Sequence, residues 1–376
     1  MNGRDKILAA FSPEGTPEIP AVICYEDIFI RDHWTQLSNR PWWVRVTPDI
    51  ETQSAWRREV EEAIGQDWFL LPEGASYAER AHVTLVAQGS QVYRFNRHTG
   101  ETQRLASPQV SGWSGREVAS VHPAQLPQTP EEVDAWLIDP HTGDYGLADG
   151  RGDLAQHILG DWGAARFPLG YVAGPLWTCY YMWGFEGMMT HLIDKPALVH
   201  YAAQRFAEYS IGQVRAAARL GALGVWIEDC MMDMISPQHY RTFNLPYLRQ
   251  ITDELHAVGM VGIHYFCGNP AGKWDLLIDT GADALALEES KKGFTIDIAD
   301  VAERVNGRMV VLGNLDSVGI LEQADDDTLR AEIARQIAAG RRNRSRFIMS
   351  LGSPVTPDTP LARVRHYCDL THQLGV

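Results

Sequence analysis

Three short stretches bring chemically capable side chains close together: Glu228-Asp229-Cys230, His264 with Cys267, and Glu288-Glu289. A fourth, Cys24-Tyr25-Glu26-Asp27, stands near the N-terminus. Imidazole, thiolate and carboxylate are all zinc ligands, and a catalytic zinc takes three of them and keeps one position open. His264, Cys267, Glu228 and Glu288 are therefore the candidate metal ligands, with zinc the candidate metal. Without a metal, crowded carboxylates raise one another's proton affinity and supply a general acid for a leaving alkoxide or phenoxide. That reading draws on Glu228-Asp229 and Glu288-Glu289, and over both readings Glu228, Asp229, His264 and Glu288 are the candidate catalytic groups. The structural alternative is a hydrogen-bonded core histidine, a small buried cysteine, and acids paired with cations such as Lys291-Lys292.

Each of these stretches closes an apolar run. Candidate strands cover 19–27, 67–71, 167–175, 224–230, 261–267, 282–289, 309–316 and 347–353, several of them continuous in Val, Ile, Leu and Ala as buried parallel strands are. Helix signals separate them. Pro196 opens a helix to Leu220. Ser236 caps another with Pro237 at its first position, and Pro246 should kink it. A third starts at Asp326 and stops at Gly340, and Thr359-Pro360 opens the last, towards His372.

Eight strands alternating with helices predict an α/β fold, a (β/α)8 barrel spanning 1–376 as one domain with N-terminal helical additions. Residues 83–166 read as an insertion. It holds an antiparallel hairpin at 83–105 turning at His98-Thr99-Gly100, then a loop-rich segment with helices near 129–137 and 154–159.

Barrel chemistry sits where strands end. That rule adds Glu26, Asp27, Asn314 and Ser353 as substrate-binding candidates. It adds Trp177 and Tyr181 too, from an aromatic run at 176–185 that is a candidate wall for a planar substrate or a corrin ring, the alternative being a loop folded over the barrel mouth as ordinary packing.

The 376 residues carry 33 Lys and Arg against 48 Asp and Glu, a net charge of −15, which disfavours nucleic acid and anionic membranes as partners. No apolar run reaches the roughly 18 residues of a membrane span. The N-terminus shows no signal-peptide pattern. The five cysteines are scattered without a C-x-x-C, as expected of free thiols in a reducing cytoplasm.

Several pieces occur in a telling order: Gly174-Pro175; Ile235-Ser236-Pro237; His264-Tyr265-Phe266-Cys267-Gly268-Asn269; Gly313-Asn314-Leu315-Asp316; and Gly352-Ser353 before Pro357-Asp358-Thr359-Pro360. The stretch from Gly174 to Pro360 resembles the uroporphyrinogen decarboxylase superfamily, and within it the branch of corrinoid-dependent methyltransferases. The resemblance implies a (β/α)8 barrel. Where true decarboxylases carry an Arg-rich segment to hold porphyrinogen carboxylates, this chain reads Ile30-Arg31-Asp32-His33-Trp34. The methyltransferase branch implies a zinc on a His-x-Cys pair and a distant Cys. Here His264 and Cys267 are three apart and Ser353 takes the distant place.

The function expected from the resemblance is transfer of a methyl group from a small, methoxylated donor to cobalt. That cobalt belongs to a corrinoid supplied by a separate corrinoid-binding protein. A second copy of the chain is an allowed partner. Three other readings stay open: methylation of a thiol from methylcobalamin, a metal-free decarboxylase or lyase acting on a small carboxylic acid, and a ligand-binding barrel without chemistry.

Overall fold

Parallel strands buried on both faces are written as unbroken apolar runs; seven of the eight runs become strands of one curved wall, and the eighth lies along it as an extended segment with one bridge. The computed structural model describes residues 1–111, 123, 125–137, 147–290 and 293–376. In chain order the strands are β1 (Trp68–Leu70), then β2 (Val83–Gln88), β3 (Gln91–Asn96) and β4 (Thr102–Leu105), which form a separate small sheet. The wall continues with β5 (Phe167–Ala173), β6 (Gly224–Asp229), β7 (Val261–Phe266), β8 (Ala284–Leu287), β9 (Val310–Leu312) and β10 (Phe347–Ile348). These pair in parallel in the order β1-β5-β6-β7-β8-β9-β10.

The eighth stave is the run predicted at 19–27, and it is tied differently. Ala21 bridges Met349 beyond β10, which brings the sheet round to β1. On the β1 side one backbone bond, from the Asp67 N–H to the Ala21 carbonyl at 2.9 Å, is supplemented by side chains. Asp67 Oδ2 accepts the Ala21 N–H at 2.7 Å and Gln66 Oε1 accepts that of Ile23 at 3.2 Å. The stave ends before Tyr25, whose φ of 55° and ψ of 51° lie in the left-handed region, and a helix, Glu26–Leu37, starts directly after it. Glu26 and Asp27 thus belong to a helix's first turn, not to a strand end.

Helices Pro196–Leu220, Asp326–Arg342 and Leu361–Leu374 follow the capping signals, though the second passes two residues beyond Gly340. The Pro246 kink appears as a break at Asn244 between Pro237–Phe243 and Leu245–Ala257. The aromatic run is helical, not a loop: it forms Pro175–Asp194, bent at Gly184 where φ is 66°. Helices Gly3–Phe11 and Ile50–Ile64 are the N-terminal additions.

Residues 83–105 make three antiparallel strands with two turns, one at Gly89-Ser90 and one at His98 to Gly100, rather than a single hairpin. Helices Pro130–Trp136 and Asp153–Trp162 occupy the loop-rich part. Lys291-Lys292 lies outside the described residues. Among the described residues no helix is long and apolar enough to cross a membrane.

Candidate active site

Side chains alternate across a strand, so register decides which acids meet. In β6, Glu228 stands opposite Tyr265 of β7, and Trp226 stacks on that ring at 5.0 Å. These residues face the lumen. Asp229 and Ile227 face the surrounding helices, and so does His264, the register partner of Ile227. Beyond the strand ends, Cys230 and Cys267 fall on the lumen side with Glu228. In β8, Ala286 stands opposite Tyr265, which puts Glu288 on the same side two residues on.

Glu228 is the centre of the lumen cluster. Its Oε1 accepts from the Tyr25 hydroxyl at 2.7 Å and the Cys230 thiol at 3.4 Å. Its Oε2 accepts from the Tyr171 hydroxyl and from the Trp177 indole N–H at 3.3 Å. All four donors are neutral, and among the described residues no ion pair reaches this buried carboxylate. Burial and the neighbouring acid lift the Tyr171 hydroxyl far above the ordinary phenol range, and burial with the charges around it lifts that of Tyr25. Both keep their protons as donors. Tyr181 is pushed up to about 12, by partial burial first and by Glu228 second. The Cys230 thiol is raised by its hydrogen bond with Cys267 and then by burial, so neither effect favours a thiolate there.

A cavity of about 290 Å3 opens beside this cluster, lined by Ile23, Cys24, Tyr25, Glu26, Asp27, Ile28, Trp68, Leu70, Leu169, Tyr171, Trp226 and Glu228. Tyr25, Trp68 and Trp226 meet at steep angles, Trp68 on Trp226 at 87° and Tyr25 on Trp226 at 74°. Glu26 accepts from Gln66 Nε2 at 2.8 Å. It also shares a hydrogen bond with Glu61, and burial raises the proton affinity of both carboxyls, that of Glu61 to about 7. The backbone around the rim is tightly constrained. A Cβ on Gly174 would lie 2.9 Å from Asp229 Oδ1 and 3.0 Å from the Glu228 carbonyl, so the turn leaving β5 has room only for glycine.

His264 corrects the expectation from the sequence. Its ring is 1% exposed and its Nε2 meets Asp229 Oδ2 at 3.1 Å. That carboxylate, fully buried, also accepts from the Tyr240 hydroxyl at 3.0 Å and from Asn244 Nδ2 at 2.8 Å. Asp229 and His264 therefore pin the broken helix pair 237–257 to the outside of the sheet. Neither reaches the lumen, because the strands run to their ends without the bulge that would bring residues 264 and 267 to one face.

The residue two before Cys267 is Tyr265, and its hydroxyl donates to the Gly352 carbonyl at 3.1 Å. Among the described residues, no three of His, Cys, Asp and Glu converge closely enough to hold a metal ion. Zinc does not fit the four ligands named from the sequence, since His264 and Glu228 occupy opposite faces of the sheet.

The remaining candidates divide in the same way. Asn314 Nδ2 donates to the carbonyls of Glu288 and Ile296, both at 3.0 Å, and so clamps the loop after β8. The Ser353 hydroxyl donates to Glu289 Oε2 at 2.7 Å. A Cβ on the adjacent Gly352 would come within 2.3 Å of the Glu289 N–H, so this corner is packed backbone. Trp177 and Tyr181 do reach the site, with rings 4.6 Å apart. Sequence reasoning missed Trp68, Tyr171 and Trp226 as wall residues and Cys230 as a neighbour of Glu228. Alternation outward from Glu228 identifies Trp226 and no sequence pattern identifies Trp68.

A family model described as "Uroporphyrinogen decarboxylase (URO-D)" matches residues 164–374. The chain belongs to the URO-D family. Among curated relatives, the uroporphyrinogen decarboxylase of Edwardsiella ictaluri is 32% identical over 189 residues, which are 49% of this chain and 51% of that protein. That of Legionella pneumophila (strain Lens) is 24% identical over 289 residues, 73% of this chain and 72% of the relative. This URO-D chain thus spans about half the length of the first of these relatives. Among solved structures, a methyltransferase from Methanosarcina mazei superposes with a TM-score of 0.67 at 20% identity, covering 100% of both chains. That likeness carries the URO-D barrel fold across the whole chain, including the part before residue 164.

Proposed function

We propose that this URO-D barrel holds a small methyl donor beside Glu228 and passes its methyl group to the low-valent cobalt of a corrinoid on a separate protein. The observation that supports this reading is the charge of the cavity wall. The carboxylates of Asp27 and Glu228 line it with four aromatic rings and Glu26, whose proton affinity burial raises, and no Lys, Arg or His is among the described lining residues. A porphyrinogen bearing eight carboxylates would meet only like charge there. The same repulsion counts against a small carboxylic acid, the substrate of the decarboxylase reading. The volume of about 290 Å3 is at the lower end of the roughly 300–1,000 Å3 of small-molecule sites.

The cobalt is a second substrate, brought to the rim by its carrier. Tyr171 and Tyr181, 44% and 47% exposed, mark the open side from which it would approach. The cobalt electron pair forms the new cobalt–carbon bond while the methyl–heteroatom bond breaks and its pair leaves on the heteroatom. What the chain contributes is orientation of the methyl group towards that opening and exclusion of water behind it. A methoxylated donor also needs a proton on its departing oxygen. The hydroxyls in place are Tyr25 and Tyr171, and both are given to Glu228. Thiol methylation loses support, because Tyr265 and Ser353 do not rebuild the zinc site on which that chemistry rests.

The test mixes the chain with a reduced corrinoid protein and candidate methyl donors and follows conversion of Co(I) to methyl-Co(III) by absorbance. Formation of methyl-cobalt that Glu228→Gln suppresses supports the proposal. Decarboxylation of uroporphyrinogen with no methyl transfer from any donor overturns it.

A further inference from the structure

We infer that the group this cavity receives is a methylated ammonium, a nitrogen bearing methyl groups and a fixed positive charge. As an account of the methyl donor the inference rests on the transfer reading above; as an account of the site it stands on the geometry alone.

Three observations converge. First, the wall is an aromatic enclosure: Tyr25, Trp68, Tyr171 and Trp226 line the cavity, and Tyr25, Trp68 and Trp226 are set steeply to one another. Rings in such an arrangement present electron-rich faces in several directions, which suits a bulky, weakly hydrated cation without N–H donors to satisfy.

Second, the charge of Glu228 is not spent. Arg57, 4.3 Å over the Trp56 ring, borders a neighbouring cleft with Glu26 and Glu61, and Arg45 acts on Asp27. Glu228 instead meets a ring of neutral donors. Those hydrogen bonds fix the carboxylate in place and leave its negative charge for a cation to answer. The amide ends of the helix Glu26–Leu37 do not reverse this field, since Asp27 in its first turn offsets them.

Third, the chemistry becomes simpler. When methyl leaves a quaternary or protonated tertiary nitrogen, the carbon–nitrogen pair stays on nitrogen and the leaving group is a neutral amine. Cobalt gains the methyl group and is oxidised by two electrons, from Co(I) to Co(III), and no proton is required for a quaternary donor. A site whose two hydroxyls are committed to a carboxylate needs no further acid for that reaction, whereas for an ether it does.

The decisive measurement is titration of the purified chain by calorimetry with choline and with its uncharged carbon isostere 3,3-dimethyl-1-butanol. The expected result is at least about tenfold tighter binding of choline, a preference that shape alone cannot give. Glu228→Gln should erase the preference while leaving the neutral alcohol unchanged. Trp68→Phe, which keeps a ring in the wall, should weaken choline by a few-fold. If Glu228→Gln does not fold, the preference of the unaltered chain still decides. Equal binding of the two compounds, tighter binding of the alcohol, or no binding of either overturns the inference. Choline preference with no methyl-cobalt from any donor leaves the site assignment standing and removes the transfer reading. Methyl transfer from a methoxylated compound but from no ammonium does the reverse.

Discussion

Glu228 and Asp229 are neighbours in the chain, both buried and both hydrogen-bonded by a tyrosine hydroxyl, yet they work on opposite sides of a single strand. Glu228 looks into an aromatic chamber open to the rim and keeps a charge that nothing in the described chain neutralises. Asp229 looks into the seam between sheet and helices and is enclosed by Tyr240, Asn244 and His264. One-residue alternation thus separates a group placed to meet a ligand from one that holds the scaffold. The pair shows that the presence of a carboxylate at a barrel rim says little until its parity is known.

Four experiments break or sharpen that contrast. The largest effect belongs to the scaffold side. Asp229→Ala leaves a hydroxyl, an amide and an imidazole buried without their acceptor, and should cost about 4 kcal/mol, seen as loss of soluble folded protein or a collapsed urea midpoint. His264→Ala should behave as a milder copy of it. If instead either variant keeps full stability and loses ligand binding, the division between the faces is wrong.

Next comes the lumen side. Glu228→Gln should lower methyl transfer by about a hundredfold while the melting temperature moves by no more than a couple of degrees, measured side by side by kinetics and calorimetry. A stability loss as large as that of Asp229→Ala would merge the two residues into one structural class.

A third effect comes from the acids behind the cavity. Burial raises the proton affinity of Glu26 and Glu61 against the pull of Arg57 and, at Glu61, of Arg166, taking Glu61 to about 7 against an ordinary 4.5. The folded chain then binds more protons than the unfolded one between those values. Stability is full below about 4.5 and falls as pH climbs through about 7. The melting temperature should drop by about 3–8 °C from pH 5 to pH 8, and Glu61→Gln should flatten that slope. A rise over this window would contradict the assignment. Smallest is Ser353→Ala, which removes one hydrogen bond to Glu289 and should cost about 1 kcal/mol in chemical denaturation.

The division also explains what could be read without coordinates. The seven strands and the extended segment at 19–27 were legible, because parallel strands covered on both faces leave continuous apolar runs between helix signals; the aromatic run at 176–185 is apolar too, yet helical. Helix starts at Pro196, Pro237 and Leu361 followed from proline and capping chemistry. Of the residues named from the sequence, Glu26, Asp27 and Glu228 line the cavity and Trp177 and Tyr181 adjoin Glu228, whereas His264 lies on the other face of the sheet. A histidine three residues before Cys267 cannot share its face in an unbroken strand, and β7 is unbroken up to Phe266. The residue with the right parity, Tyr265, offers no metal-ligand signature and draws no attention in a sequence. Trp68 and Tyr171 were out of reach for a different reason: which strands neighbour the cavity is a property of barrel closure, not of local spacing.

That closure has a consequence for how the molecule would respond to its ligand. The first stave leads into Tyr25 and is fastened to β1 mostly by the side chains of Gln66 and Asp67, with a single backbone bond from the Asp67 N–H to the Ala21 carbonyl in place of a ladder. The cylinder therefore has its loosest join beside its own binding chamber. Anything gripping Tyr25 draws that join shut, so occupancy should slow amide exchange at residues 21–23 and make the whole fold harder to melt, with the ligand acting as the missing stitch.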